Sequence, residues 1–172
     1  MYDAASAISI ARSQVGYHEA KVKGVWSNDQ KFSDQLPNFA WSGGQPWCAV
    51  FAQWCLWQVG VAVPSGARSA SCAVSAAAYK KAARWTEYPV IGGQIFFGKN
   101  GGSHTGLVYD FDDTYVRTVE GNSNDAGSAE GDGVYLRKRV RRDAYVFGYG
   151  IPLYTGTLKS ADPKWDGKPG GA

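Results

Sequence analysis

The sequence is poor in the residues that announce a metal site or a disulfide framework. It holds three cysteines and two histidines in 172 residues. Three cysteines cannot all pair within one chain, and their spacing lacks the paired CxxC pattern of a structural zinc site. At least one thiol is free unless a second chain takes it. In a reducing cytosol all three are expected as thiols, and the question becomes which of them is chemically special. Long apolar runs are also missing: no stretch approaches the ~18 uninterrupted apolar residues that a membrane-spanning helix needs. The opening residues MYDAASAISIARSQVG carry neither a basic leader nor an apolar segment with a small-residue cleavage site, so no secretion signal is expected. Charge of one sign is scarce. A formal net charge of +3 makes no case for nucleic acid, while its sign favours approach to an anionic surface such as a Gram-positive cell wall.

What is present suits one compact domain. With 44% apolar content, 14% aromatics and 22 glycines, the composition fits an α+β domain with many tight turns better than a helix bundle. Residues 3–15 read as a helix with Asp3 as its N-cap and Gly16 as its stop. Residues 17–46, which hold Pro37, Gly43, Gly44 and Pro46, read as a long loop with at most a helical turn. The apolar run WCAVFAQWCLWQV predicts a buried helix over 47–59 closed by Gly60, and a second helix is expected over 72–83 after the serine-rich PSGARSAS. Strands are expected at 93–97, His104–Phe111, 115–120, 134–140 and 144–149, with Asp112 and Asp113 turning the second into the third. From Thr155 the chain reads TGTLKSADPKWDGKPGGA, a polar linker or tail, which divides the sequence into a domain over 1–154 and a tail over 155–172.

Within that framework Cys48 stands out, because it falls at the start of the predicted buried helix. A thiolate is the nucleophilic form of cysteine, and the unpaired amides and dipole of a helix N-terminus favour negative charge. Its own backbone N–H would face the oxyanion formed when a carbonyl is attacked. Gln45 is close enough in sequence to add a side-chain donor there. Cys55 lies ~10 Å further along the same helix at 1.5 Å per residue, so the two cysteines can form no disulfide and share no metal ion within it. Cys55 reads as core, while Cys72 at the next helix start can line a cleft or pack. Trp47, with Trp26 and Trp41, is placed to stack on sugar rings or seal a peptide groove; Trp54 and Trp57 read as core.

A cysteine nucleophile needs a base, and only His18 and His104 are available. His104 opens the apolar strand HTGLVYDF after the turn-rich GKNGGS, whereas His18 in Tyr-His-Glu has no comparable support. If the strands on either side of Asp112 pair antiparallel, Glu120 or Asn122 in TVEGN can orient the imidazole. The basic run Arg137, Lys138, Arg139, Arg141 and Arg142 reads first as a solvated strand face and second as a contact for anionic polymer.

QPWCAVFAQWC, GSHTGLVYDF and TVEGN, in that order, closely resemble the three motifs of CHAP domains, the cysteine, histidine-dependent amidohydrolase/peptidases of the papain-like superfamily. The resemblance extends over most of residues 5–154. It implies a papain-like cysteine hydrolase fold with N-terminal helices packed on an antiparallel sheet. It also implies Cys48 as nucleophile, His104 as base, Glu120 orienting the imidazole and Asn122 assisting. The implied substrate is bacterial peptidoglycan, cut at the N-acetylmuramoyl-L-alanine amide or at a peptide bond of the stem or cross-bridge. No cofactor or metal is required: WSNDQKFSDQ holds Asp29 and Asp34 without the closely spaced aspartates of calcium-binding members. The segment EGDGVYLRKRVRRDAYVFGYG resembles endolysins of phages that infect actinobacteria. That likeness implies a monomer held in the host cytoplasm until lysis, without membrane insertion, to which a wall-binding domain beyond the linker would belong. The reading from a different class is a non-catalytic wall-binding module, against which the pairing of a helix-start cysteine with a strand-start histidine argues.

Overall fold

The computed structural model describes residues 2–125 and 131–171. Glu130, which opens the segment likened to endolysins, lies outside them, as do Met1 and Ala172. The first helix, α1 (Ala4–Ser13), begins where Asp3 accepts a hydrogen bond from the Ser6 backbone N–H at 2.8 Å, satisfying a donor that no helical carbonyl reaches. The following stretch is more ordered than its composition predicts. It contains the hairpin strands β1 (Lys21–Val22) and β2 (Val25–Trp26), the helix α2 (Lys31–Gln35) and a 3-10 turn over Ala40–Ser42. These pieces are too short to show a period, and α2 is capped by Gln30, whose side-chain Oε1 accepts from the Phe32 and Ser33 backbone N–H groups, instead of by a typical capping residue.

The helix α3 (Cys48–Gln58) is buried at every position from Cys48 to Leu56. A helix apolar all round has to be enclosed, and α3 is enclosed by α1, α2 and the sheet. Ser71 caps α4 (Cys72–Lys81) by accepting from the Val74 N–H at 3.4 Å.

The remaining strands are β3 (Trp85–Thr86), β4 (Gln94–Phe97), β5 (His104–Phe111), β6 (Tyr115–Ser123), β7 (Gly133–Val140) and β8 (Val146–Gly150). They form one antiparallel sheet in the order β3-β8-β4-β5-β6-β7. Strand alternation sends Leu107, Val119 and Val134 toward Phe32, Val50 and Phe51, and gathers Ile95, Phe97, Val108, Val116 and Tyr149 in a separate cluster. The expected class, α+β with N-terminal helices on an antiparallel sheet, is what the chain forms. At the β5–β6 hairpin the Asp112 carboxylate accepts from the Thr114 and Tyr115 backbone at 2.8 and 2.7 Å, and Leu107 pairs with Val119. This hairpin fixes where the ends of β5 and β6 lie.

The tail overturns its expectation. Leu158 is buried, and with Trp165 it packs against Val61, Val90, Ile151 and Tyr154. Leu158 N–H donates to the Lys168 carbonyl at 2.9 Å, and Thr86 Oγ1 donates to Asp162 at 2.6 Å. Two apolar anchors hold a segment whose average composition is polar, and an average conceals single anchors. Among the described residues no helix is long and apolar enough to cross a membrane.

Candidate active site

The site is built where the start of α3 meets the start of β5. Cys48 is the first residue of α3, and Trp47, its N-cap, makes no side-chain capping bond, so the first-turn amides are not taken by a capping side chain. His104 is the first residue of β5. Its Nε2 lies 2.9 Å from Glu120 Oε2, which leaves Nδ1 as the nitrogen for the cysteine. Glu120 reaches this position because β6 runs back along β5 and because residue 106 is glycine. A Cβ at Gly106 would come within 2.6 Å of Glu120 Cγ and 2.9 Å of the Val119 carbonyl oxygen, so any side chain at position 106 would force Glu120 to shift.

Glu120 is wholly buried and its oxygens are fully engaged. Besides His104, Arg139 donates through Nε at 3.1 Å and Nη2 at 2.6 Å, and Thr118 Oγ1 donates at 2.6 Å. Phe97 stacks on the His104 ring at 5.9 Å between centroids, and the Arg139 guanidinium lies 5.2 Å from the Phe97 ring. The imidazole is therefore held at its edge and along one face.

The electrostatics follow from these contacts. Burial pushes the Glu120 carboxyl up, but the hydrogen bonds and charges of His104 and then Arg139 outweigh it and hold the group at about 2. Burial likewise pulls the His104 imidazole down, yet the Cys48 thiolate and the Glu120 carboxylate reverse this and raise it to about 10. The Cys48 thiol is lowered well below its ordinary value, first by the hydrogen bond from Cys72, against burial, and then by His104 and the Thr105 backbone N–H. Both shifts favour a thiolate beside an imidazolium, the pairing of a nucleophile with an acid able to protonate a leaving amine.

Of the residues singled out by sequence, Cys48, His104 and Glu120 converge, and Cys72 joins them with its Sγ 3.5 Å from that of Cys48. Asn122 is buried near the end of β6 in a left-handed backbone conformation, φ 52°, where the β6–β7 register shifts. Among the described residues it makes no hydrogen bond to His104, and its Oδ1 meets no hydrogen-bond partner. Gln45 is exposed and makes no side-chain bond to the site among the described residues. Trp47 requires correction as a substrate-stacking residue: its ring is fully buried against Phe32, and its indole N–H donates to Glu19 Oε2 at 2.6 Å. The flat apolar ring next to the nucleophile serves the core. His18 lies apart, stacked on Trp26 and 3.5 Å from Asp132.

Arg139 was read as part of a solvated basic face, and the structure corrects this. Along β7, Tyr135, Arg137 and Arg139 are half-buried while Leu136, Lys138 and Val140 are exposed. Residues of this parity share a face with Thr118 and Glu120 across the β6–β7 pairing, although the apolar Val134, Leu136 and Val140 of GVYLRKRV lie on the opposite parity and point the sequence pattern the other way. Among the described residues no group of three or more His, Cys, Asp or Glu side chains could hold a metal ion.

No family model matches the chain, and no curated protein matches it. Among solved structures it is similar to the peptidoglycan hydrolase RipB of Mycobacterium tuberculosis, with 19% identity and a TM-score of 0.48 over 85% of this chain. It is also similar to Rv1477, a hypothetical invasion protein of the same organism, with 17% identity and a TM-score of 0.47 over 86% of this chain. The chain spans 62% and 60% of those proteins.

Proposed function

We propose that this chain is a cysteine-dependent peptidoglycan hydrolase of the papain-like type, in which Cys48 attacks an amide carbonyl of the bacterial wall. The observation that carries the reading is the His104 imidazole held by a buried, fully bonded Glu120 carboxylate and set beside the Cys48 sulfur at the start of a buried helix. Cys48 Sγ forms the bond to the carbonyl carbon while the oxyanion takes first-turn amide donors, the Cys48 N–H among them. His104 gives its proton to the departing amine, leaving a thioester. The imidazole, now neutral, takes a proton from water as the hydroxide attacks, and release of the acid regenerates the thiolate. Glu120 stabilises the charged imidazole and sets its orientation, and Arg139 fixes Glu120 in turn.

The choice of peptidoglycan rests on the CHAP-like motifs in order and on the mild positive charge. The bond is the N-acetylmuramoyl-L-alanine amide or a peptide bond of the stem or cross-bridge, and the biological setting that fits is a phage endolysin acting once it reaches the wall. Purified peptidoglycan incubated with the protein should release fragments whose masses and new amino and carboxyl ends identify the bond. Folded Cys48→Ala should release none. Equal release by Cys48→Ala, or inhibition by chelators but not by iodoacetamide, would remove the cysteine mechanism.

A further inference from the structure

We propose that Cys48 and Cys72 form an oxidation site that takes a hydroperoxide as co-reactant and closes to a reversible disulfide. The sulfurs are 3.5 Å apart, each on the first residue of a helix, α3 and α4. A disulfide requires an S–S bond of about 2.05 Å, so the two sulfurs have to approach by only about 1.5 Å. Helix ends and the loop between them can absorb such a shift more readily than helix interiors. Both residues belong to the same packed cluster, with Ala49, Ala76 and Phe96, and both retain slight exposure, 6% and 7%. Cys55 has neither property: it is fully buried in a different cluster.

The chemistry balances with hydrogen peroxide. The Cys48 thiolate attacks one peroxide oxygen; the S–O bond forms, the O–O bond breaks, and the departing hydroxide takes the His104 proton as water. The sulfur is then a neutral sulfenic acid. Cys72 attacks that sulfur, the S–S bond forms, the S–O bond breaks, and the released hydroxide leaves with the Cys72 proton as a second water. Two thiols lose two electrons and the peroxide gains them.

The order of the steps is set by the environment. Cys72 is held protonated first by its hydrogen bond to the Cys48 thiolate and then by burial. Conversion of Cys48 to a neutral sulfenic acid removes the first of these, so Cys72 becomes easier to ionise at the moment its partner becomes electrophilic. A neighbouring thiol in this position also intercepts the sulfenic acid before further oxidation, which otherwise ends in an irreversible sulfinic acid.

The test treats the full chain with stoichiometric hydrogen peroxide and reads the mass under non-reducing conditions. The expected product is a monomer lighter by about 2 Da, with Cys48 and Cys72 joined in one fragmented peptide pair and returned to thiols by dithiothreitol. With two or more equivalents of hydrogen peroxide, Cys72→Ala, or Cys72→Ser if the alanine variant does not fold, should give no cross-link and instead gain about 32 Da at Cys48, which dithiothreitol does not remove. A link to Cys55, a disulfide between two chains, or sulfinic acid at Cys48 of the unaltered protein would overturn the proposal. The readout is covalent mass, so it stands apart from wall hydrolysis. Under the hydrolase reading, the oxidised form should also lose lysis and regain it with reductant.

Discussion

Cys48 and Cys55 lie on one helix, ~10 Å apart along its axis, and yet occupy opposite chemical situations. Around Cys48 a thiol, an imidazolium and a backbone amide all favour the anion, and together they overcome burial. Around Cys55 there is only the apolar core, and burial pushes the thiol well above its ordinary range. The residue type and the helix are shared, so reactivity is set by what surrounds the sulfur. A free cysteine in an apolar helix is inert unless a partner element brings donors to it, and here β5 and the start of α4 do so.

The comparison breaks most severely if the support of His104 is removed. Glu120→Gln keeps the shape but removes the buried charge and leaves Arg139 without its counter-ion. Turnover should fall by about 10²- to 10⁴-fold, with alkylation of Cys48 shifted to higher pH. An unchanged rate would show that Glu120 does not orient the imidazole. The same carboxylate should be visible in acid melts. Its value falls from 4.5 to about 2 on folding, so its contribution to stability is complete above about 4.5 and is lost as pH drops toward 2. The Gln variant should lack that component of the acid transition.

Arg139→Met should have a smaller effect, about 10- to 100-fold on kcat, because Glu120 keeps its bonds to His104 and Thr118. Arg139→Lys should recover part of the loss. If Arg139 were only a solvated cation, both variants would match the unaltered protein in rate and in pH profile. Cys55→Ala sharpens the other side of the comparison. Wall hydrolysis should be retained, while thermal or urea unfolding should show a loss of roughly 0.5–3 kcal/mol from the vacated core space. Loss of hydrolysis in a folded Cys55→Ala protein would mean that the two thiols are not separate in function.

Much of this contrast is legible in the sequence. The run around Cys48 has no break and ends at a glycine, so the helix and the placement of Cys48 at its start followed from sequence, and β5 formed over the predicted residues. The hairpin turn at Asp112 then brought Glu120 to His104. The missing parts are matters of distance and parity. Nothing in the spacing of Cys48 and Cys72 reveals that two helix starts meet at 3.5 Å. Arg139 sits in a run charged on both strand parities, with apolar Leu136 and Val140 on the opposite one, so only the β6–β7 register turns it toward Glu120. Trp47 stands at the very start of the apolar run in the sequence and so resembles Trp26 and Trp41, but a residue that precedes a buried helix can turn its ring into the core, as this one does. The tail was read by average composition, which gives no weight to single anchors such as Leu158 and Trp165.

The central claim is that Cys48 is a thiolate paired with the His104 imidazolium, and the rate of its alkylation by iodoacetamide against pH tests this most directly. Peptide mass analysis locates the modified cysteine and reports Cys48 and Cys55 in the same experiment. The account predicts that Cys48 reacts rapidly at neutral pH and keeps its rate well below the ordinary thiol range. A further change is expected only near 10, as His104 loses its proton, and Cys55 should stay unmodified until the chain unfolds. A Cys48 rate that climbs about tenfold per pH unit to a midpoint near 8.5, as for a free thiol, would contradict it.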